Sequence, residues 1–327
     1  MVAGRFDGKV AIVTGSTEGI GLAVARRLAQ DGAKVMICSR KEKKVEAAVK
    51  QLVAENLLVR GVPCQAALKE DRENLVAETL KHFGGIDFLV NSVGASPYFG
   101  TIMNTPEKAY DQLFDLNVKA GFFMSQAVLP HMEKRGGGSI VFNSSITAYS
   151  PMELIGVYSV CKTTLLGMAK AMAPELGRSN VRVNCVAPGI IGTKFSKALI
   201  ENEELQQETM KTLALKRVGT PEDIAGVVAF LCGRTVGSTL MWPIVTTGLI
   251  FSTQNMKQHD FNCGLEADEN NNLVDSFNHA LRTELIQKNN VFQRSENTIP
   301  NISPDSQKKE SHFDRKIHIS ITNASIL

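Results

Sequence analysis

The short run Lys9-Val10-Ala11-Ile12-Val13 passes without a break into Thr14-Gly15-Ser16-Thr17-Glu18-Gly19-Ile20-Gly21, and no other stretch restricts the fold as much. Apolar, largely β-branched residues in so short a run suit a parallel strand buried on both faces. Leu22, Val24, Ala25, Leu28 and Ala29 then recur at helical spacing and stop at Asp31-Gly32. Strand, glycine-rich turn and helix start together make a phosphate cradle. The glycines let backbone approach the anion, and the free N–H groups of the first helical turn bind it. A lone set of glycines is more often an ordinary turn, but the strand before it and the helix after it favour a dinucleotide site. Its candidate contacts are Gly15, Ser16, Thr17, Gly19, Ile20 and Gly21.

A second constellation carries chemistry. Tyr158 and Lys162 are four positions apart and share a helix face. An ammonium beside a phenol favours the phenolate and is expected to pull the tyrosine pKa down towards the working pH. Such a phenol exchanges a proton with a carbonyl or alcohol oxygen. Ser145 follows the apolar run Ser139-Ile140-Val141-Phe142, where its hydroxyl can hold a substrate oxygen at a strand's C-terminal end. Tyr-x-x-x-Lys alone is common in helices; its weight comes from the dinucleotide cradle upstream.

The order and spacing of Thr14-Gly15-x-x-x-Gly19-Ile20-Gly21, Asn91-Ser92-Val93-Gly94, Asn117, Ser145, Tyr158-x-x-x-Lys162 and Pro188-Gly189 resemble those of the short-chain dehydrogenases/reductases. Gly21 to Ala33, Met132 to Ser139 and Pro221-Glu222-Asp223 are similar to the family-member-4 carbonyl reductases of that superfamily. The resemblance runs over about residues 5–232 and implies an α/β, doubly wound Rossmann-type parallel sheet with helices on both faces. It implies a catalytic set of Asn117, Ser145, Tyr158 and Lys162, with the Asn117 carbonyl at a helix irregularity holding a water that relays protons to Lys162. It also implies that Lys162 binds the nicotinamide ribose with Tyr158 beside the cofactor, while Asn91 can bond backbone across the sheet and brace the turn and Gly94 lets the cofactor approach. Pro188 and Gly189 would shape the turn, with Ile191 and Thr193 at the carboxamide. A mobile lid is expected over residues 194–216, with Phe195 and Met210 as apolar contacts. Ser96, Tyr98 and Phe99 would join Phe195 in lining the substrate pocket, and xenobiotic carbonyls, α-dicarbonyls and retinal are the implied substrates.

Cofactor choice is read at the end of the second strand, Lys34-Val35-Met36-Ile37-Cys38. An acid there would bond the adenosine ribose hydroxyls and repel a 2′-phosphate. Ser39 stands in that place with Arg40 beside it, and a guanidinium grips a phosphate with paired hydrogen bonds. NADP(H) is therefore the expected cofactor. A bland reading leaves Arg40 and Lys41 at the solvated start of a helix. Val45–Val53, Asp71–Phe83 and a long apolar stretch from Asp111 to Ala127 are expected helices. Val59–Cys64, Ile86–Val90 and Val181–Val186 are expected strands. The family's aspartate near the adenine is missing from Gln65-Ala66-Ala67, which leaves backbone as the adenine contact.

The formal net charge is +3, with no basic cluster suited to nucleic acid. The six cysteines have no paired metal-ligand spacing, so no metal is expected, and buried thiols in a reducing compartment fit better than a disulfide framework. No run of 18 or more apolar residues suggests a membrane span, and too few residues precede the first strand for a signal peptide. The family-member-4 group ends in a peroxisomal Ser-Arg-Leu address. This chain ends Ser325-Ile326-Leu327, which points to the cytoplasm. The family is tetrameric, and a homo-oligomer is the implied assembly.

Residues 1–232 are thus expected to form the catalytic domain. Residues 233–254 are atypical, and gapless placement puts Ile244-Val245-Thr246 where the last strand belongs. Residues 255–327 are rich in Asn, Gln, Ser and Lys and are expected to be largely disordered, apart from a helical stripe of Leu273, Phe277, Leu281 and Leu285. The reading is an NADPH-dependent carbonyl reductase. The alternative is a catalytically impaired isoform that acts only by pairing with full-length subunits.

Overall fold

The computed structural model describes residues 4–196, 217–233 and 244–246 of the chain. Residues 197–216, Met210 among them, and the proposed tail helix and disordered stretch lie outside the described residues.

The architecture alternates strand and helix: β1 (Val10–Thr14), α1 (Gly19–Gln30), β2 (Lys34–Ser39), α2 (Glu42–Ala54), β3 (Val59–Pro63), α3 (Lys69–Phe83) and β4 (Phe88–Asn91). There follow α4 (Glu107–Phe114), α5 (Ala120–Lys134), β5 (Gly138–Asn143), α6 (Gly156–Leu176), β6 (Val181–Pro188), α7 (Pro221–Cys232) and β7 (Ile244–Thr246). The strands pair in the order β3-β2-β1-β4-β5-β6-β7, every pair parallel. This is the doubly wound Rossmann-type fold. Chain order reverses between β1 and β4, which opens the crevice beyond the strands' C-terminal ends where ligands bind in such sheets.

Alternation along the strands builds a core on each face. Ala11, Val13, Val35, Ile37 and Val141 face one cluster with Val24 and Leu28 of α1 and Ile224 and Val228 of α7. Ile12, Met36, Cys38, Ile140 and Phe142 face the other, against Leu75 of α3, Met124 and Val128 of α5, and Leu165 and Leu166 of α6. Both faces of the central strands are therefore dry, as their unbroken apolar runs require. At the opposite end from the crevice, buried Asp87 accepts from Lys9 Nζ at 2.7 Å, Arg135 Nη2 at 2.8 Å and the Val10 amide at 2.9 Å. That carboxylate is paired and fully hydrogen-bonded, as its burial demands.

One local reading changes. The single apolar helix expected over 111–127 is three pieces: α4, a π-helical turn at Asp115–Lys119, and α5. α6 carries Pro174 near its end and stops at Leu176, before a short 3₁₀ turn at Gly177–Ser179. On the far side of the sheet, Val186, Ala187 and Pro188 of β6 pair with Ile244, Val245 and Thr246. The strand is short, and Pro188 meets it at the end of the ladder. Entry to α7 is fixed by a reciprocal cap in which Thr220 Oγ1 accepts from the Asp223 amide and the Asp223 carboxylate accepts from the Thr220 amide. Arg217 grips the same carboxylate at 2.7 Å and holds its pKa well below the usual range.

Candidate active site and dinucleotide cradle

All the chemistry-bearing residues emerge at the C-terminal ends of the strands. After β1 the chain turns at Gly15, whose φ of +61° is a left-handed conformation that favours glycine. A side chain at Gly21 would collide with the Gly15 carbonyl, so the first turn of α1 can close on this loop only with glycine there. Glu18, the residue capping α1, makes no side-chain bond to the helix start. First-turn N–H groups are thus left for an anion, which is the donor set a pyrophosphate needs. Ser16 is fully buried: its Oγ donates to the Val13 carbonyl and accepts from the Cys38 amide at 3.0 Å. Ser16 therefore pins the turn to β2 and shapes the cradle, with its hydroxyl spent internally. Thr17, Gly19 and Ile20 lie half-buried or exposed along the turn.

At the end of β2, Ser39 is half-buried and Arg40 exposed. The Ser39 carbonyl accepts from the Cys64 amide at 3.0 Å. The loop after β3 is clamped from α3, where Asp71 accepts from the Gln65 amide at 2.7 Å and Arg72 Nη1 donates to the Ala66 carbonyl at 2.8 Å. The sequence reading missed these two residues. Their signal was a buried arginine, which needs a carbonyl or carboxylate partner, but periodicity alone does not reveal its burial.

The β4 turn corrects a second expectation. Asn91 was expected to bond backbone across the sheet, but its Nδ2 donates to Ser125 Oγ of α5 at 3.4 Å. Thr14 does the bracing: its hydroxyl accepts from the Ser92 amide at 3.1 Å and donates to the Val90 carbonyl at 3.4 Å. Thr14 has the shorter reach and sits on the adjacent strand, directly opposite Asn91 in register. Gly94 faces inward, and a carbon added there would stand 3.0 Å from Lys162 Nζ and 3.3 Å from Asn117 Oδ1.

Asn117 sits within the π turn, 3% exposed. Its Nδ2 donates to the carbonyls of Ala95 and Leu113, both at 2.9 Å, and its Oδ1 accepts from the Ala95 amide at 3.3 Å. The side chain thus ties the loop after β4 to the helix, by both of that loop residue's main-chain groups. A π turn of this kind often marks a functional site.

Ser145 follows β5 and caps a one-turn 3₁₀ segment, its Oγ accepting from the Thr147 amide at 3.2 Å. Ser144 Oγ donates to the Lys162 carbonyl at 2.7 Å, and Thr163 Oγ1 to the Ala148 carbonyl at 3.0 Å, so α6 is stitched to the β5 loop at Lys162 and at the residue after it. Lys162 Nζ donates to the Asn143 carbonyl at 2.9 Å and lies 5.3 Å from the centre of the Tyr158 ring. The Ser145 hydroxyl lies close enough to the Tyr158 phenol to favour its ionised form. Asn143 is another residue not foreseen. Its carbonyl positions Lys162, while its Nδ2 donates to Ser92 Oγ at 3.3 Å.

The electrostatics reverse the sequence argument. Burial pushes the Tyr158 phenol above its ordinary pKa, partly offset by the nearby Ser145 hydroxyl. Burial also pushes the Lys162 ammonium down to about 8. Both side chains are under a tenth exposed, and desolvation disfavours either charged form more than their proximity favours it. The phenol is accordingly held protonated at neutral pH.

The remaining residues divide. The Phe195 ring lies 5.4 Å from the Tyr158 ring, tilted by 34°, and joins the site. Ser96 Oγ donates to the Tyr98 carbonyl at 2.9 Å and Tyr98 Oη to the Thr101 carbonyl at 3.3 Å, contacts within their own loop, while Phe99 is largely exposed. Pro188 ends β6, Gly189 follows, and Ile191 is buried. Ser196 Oγ donates to the Ile191 carbonyl and accepts from the Thr193 amide at 3.2 Å, so it engages the main-chain groups expected at the carboxamide. Among the described residues there is no cluster of His, Cys, Asp or Glu able to hold a metal ion, and no helix is long and apolar enough to cross a membrane.

Comparison with known proteins agrees with this arrangement. The family model described as enoyl-(acyl carrier protein) reductase matches residues 15–241. Dehydrogenase/reductase SDR family member 4 of Bos taurus is 50% identical over 243 residues, covering 74% of this chain and 87% of that protein. Its Homo sapiens counterpart is 52% identical over 226 residues, 69% of this chain and 81% of that one. Among solved structures, a 7α-hydroxysteroid dehydrogenase complexed with NADH and 7-oxo glycochenodeoxycholic acid superposes with a TM-score of 0.71 at 30% identity, covering 75% of this chain and 94% of that one. A parallel sheet with a glycine cradle at its switch point, a Ser-Tyr-Lys group beside it and relatives at half identity lead to one conclusion: the chain belongs to the short-chain dehydrogenase/reductase family and is an NAD(P)-dependent oxidoreductase.

Proposed function

We propose that the chain reduces ketones and aldehydes, α-dicarbonyls and retinal among them, with NADPH. The observation that carries the reading is the buried pair of Tyr158 and Lys162, with Lys162 Nζ 5.3 Å from the phenol ring and the Ser145 hydroxyl nearby. When bound, the dinucleotide supplies a hydride to the carbonyl carbon. Ser145 holds the carbonyl oxygen and Tyr158 gives it a proton. Lys162 serves two partners, the ribose and the phenol, and its lowered pKa eases proton return to Tyr158. Asn117 keeps the relay and the loop after β4 in place. A phenol that keeps its proton at neutral pH is in the form the reductive direction needs, in which it acts as an acid.

NADPH in preference to NADH rests on the end of β2, where Ser39 offers no carboxylate and Arg40 is exposed and free to meet a 2′-phosphate. Pro188, Gly189, Ile191 and Thr193 close the nicotinamide end, and Gly15, Thr17, Gly19, Ile20 and Gly21 the phosphate end. Phe195 is the best supported substrate contact; Ser96, Tyr98 and Phe99 are assigned with it as the pocket's rim. The catalytic domain is taken to end at residue 232, with Ile244–Thr246 serving as its last strand. Five buried free thiols among the described residues favour a reducing compartment, and we place the protein in the cytoplasm. Exposed Phe122 and Phe123 on α5 and Val160 on α6 favour a homo-oligomer.

The test follows NADPH consumption with diacetyl and identifies the product. Stoichiometric formation of the hydroxyketone is expected. NADPH binding without turnover on any carbonyl, together with co-assembly with a full-length relative, would replace this reading with the partner-only isoform. A core that ends on a three-residue edge strand is what favours that second reading.

A further inference from the structure

Three exposed charges meet at the mouth of the phosphate cradle. Glu18, at the start of α1, accepts from Lys44 Nζ at 3.0 Å and from Lys194 Nζ at 2.8 Å, both on the same carboxylate oxygen. Lys44 reaches it from the first turn of α2, just beyond Ser39 and Arg40, and so spans the gap between the β1 and β2 turns. Lys194 reaches it from the loop after β6. The neighbouring Thr193 packs over the same helix start, its Cγ2 3.3 Å from where a Gly19 side chain would begin. The two ammonium groups therefore meet at the cradle's mouth from two separate elements.

Stability does not explain the cluster. The side chains are 43%, 45% and 76% exposed for Lys44, Glu18 and Lys194, and ion pairs so exposed contribute little to folding. The lysines hold the Glu18 carboxylate below its usual pKa, so it stays charged beside a helix start that attracts anions. A carboxylate in that place opposes a phosphate, whereas two ammonium groups gathered on it leave a net positive charge there.

We propose that Lys44 and Lys194 are phosphate-binding residues of the dinucleotide site, held ready by Glu18. Lys44 serves the 2′-phosphate and so joins Arg40 in selecting NADPH. Lys194 serves the pyrophosphate and so acts on both dinucleotides alike. Glu18 keeps the two lysines at the cradle's mouth by competing with the ligand for them, releasing them when phosphate arrives and taking them back on release. The assignment rests on the NADPH reading above.

Isothermal titration of the full chain with NADPH, NADH and 2′-phospho-ADP-ribose tests it without turnover. Lys44→Met is expected to weaken NADPH and 2′-phospho-ADP-ribose by about tenfold and NADH by less than about twofold, with Lys44→Arg restoring most of the loss. Lys194→Met is expected to weaken all three by a similar factor. Glu18→Gln removes the opposing charge and is expected to tighten NADPH and steepen its salt dependence. Lys44→Met that leaves the wild-type NADPH:NADH preference intact would overturn the role of Lys44. Lys194→Met with unchanged affinities would overturn that of Lys194, and unchanged NADPH affinity and salt dependence in Glu18→Gln would overturn that of Glu18. A wild-type chain with no preference for NADPH would instead remove the NADPH reading and the Lys44 role with it, while the Lys194 test would still stand.

Discussion

Replacing Asn117 with alanine removes three hydrogen bonds, two that join the π turn to Ala95 in the loop after β4 and one to the Leu113 carbonyl of α4. Each is worth about 0.5–1.5 kcal/mol net in a folded protein. Ala95 is half-buried, so its amide and carbonyl regain part of their bonding from water, and the lower half of that range applies. The expected loss is about 2 kcal/mol. A domain of this size loses about 2–4 °C in Tm per kcal/mol, so Tm should fall by about 4–8 °C. Because Gly94, Ala95 and Ser96 lead into the substrate loop, KM for diacetyl should rise severalfold while NADPH binding changes less. Asn117→Asp sharpens the test. Its carboxylate still accepts from the Ala95 amide but cannot donate to either carbonyl, so it should be at least as destabilising as alanine. Thermal unfolding followed by circular dichroism, with steady-state kinetics on the same samples, measures both effects. An Asn117→Ala protein within about 1 °C of wild type with unchanged KM would refute the view that this side chain ties loop to helix.

Other consequences follow from the same geometry. The folded pKa of Lys162, about 8, lies below its ordinary value, so between pH 8 and about 10 the unfolded chain binds more protons and stability should rise with pH. Tyr158 is shifted upward, so above about pH 10 the native state holds its proton longer and stability should fall again. Urea unfolding across this range should show the maximum, and Lys162→Met should flatten its rising side. Ser39→Asp combined with Arg40→Ala should move kcat/KM towards NAD, because a carboxylate bonds free ribose hydroxyls and repels a 2′-phosphate; an unchanged NADP/NAD ratio would reduce Arg40 to a surface charge. Hydrogen exchange at Ile244–Thr246 should be slowed by pairing with β6, whereas rates equal to those of a free peptide would end the sheet at β6.

The elements governed by local pattern were legible in the sequence. β1, the glycine turn and α1 follow from an apolar run, from glycines where backbone must approach backbone, and from helical spacing after them. Ser145, Tyr158 and Lys162 were found because strand ends and one helix turn fix their relative places. What escaped was set by contacts distant in sequence. The π turn divides an unbroken apolar periodicity because Asn117 is held by Ala95, on a loop from another strand. Thr14, not Asn91, braces the β4 turn, which depends on the register between β1 and β4. The direction of the Tyr158 shift was misjudged for a related reason. Spacing shows that a lysine is near but not that both groups are buried, and here desolvation outweighs the charge. Glu18, Lys44 and Lys194 belong to three separate turns, so only the folded crevice brings them together.

The central claim is that Tyr158 gives the proton, and Tyr158→Phe tests it most directly. The substitution keeps the ring that packs near Phe195 and removes only the hydroxyl. Single-turnover reduction of diacetyl by bound NADPH should fall by at least about 10²-fold, the usual contribution of a positioned acid, while calorimetric NADPH affinity stays within about twofold. A Tyr158→Phe protein that binds NADPH normally and keeps more than a few per cent of the wild-type rate would contradict the assignment.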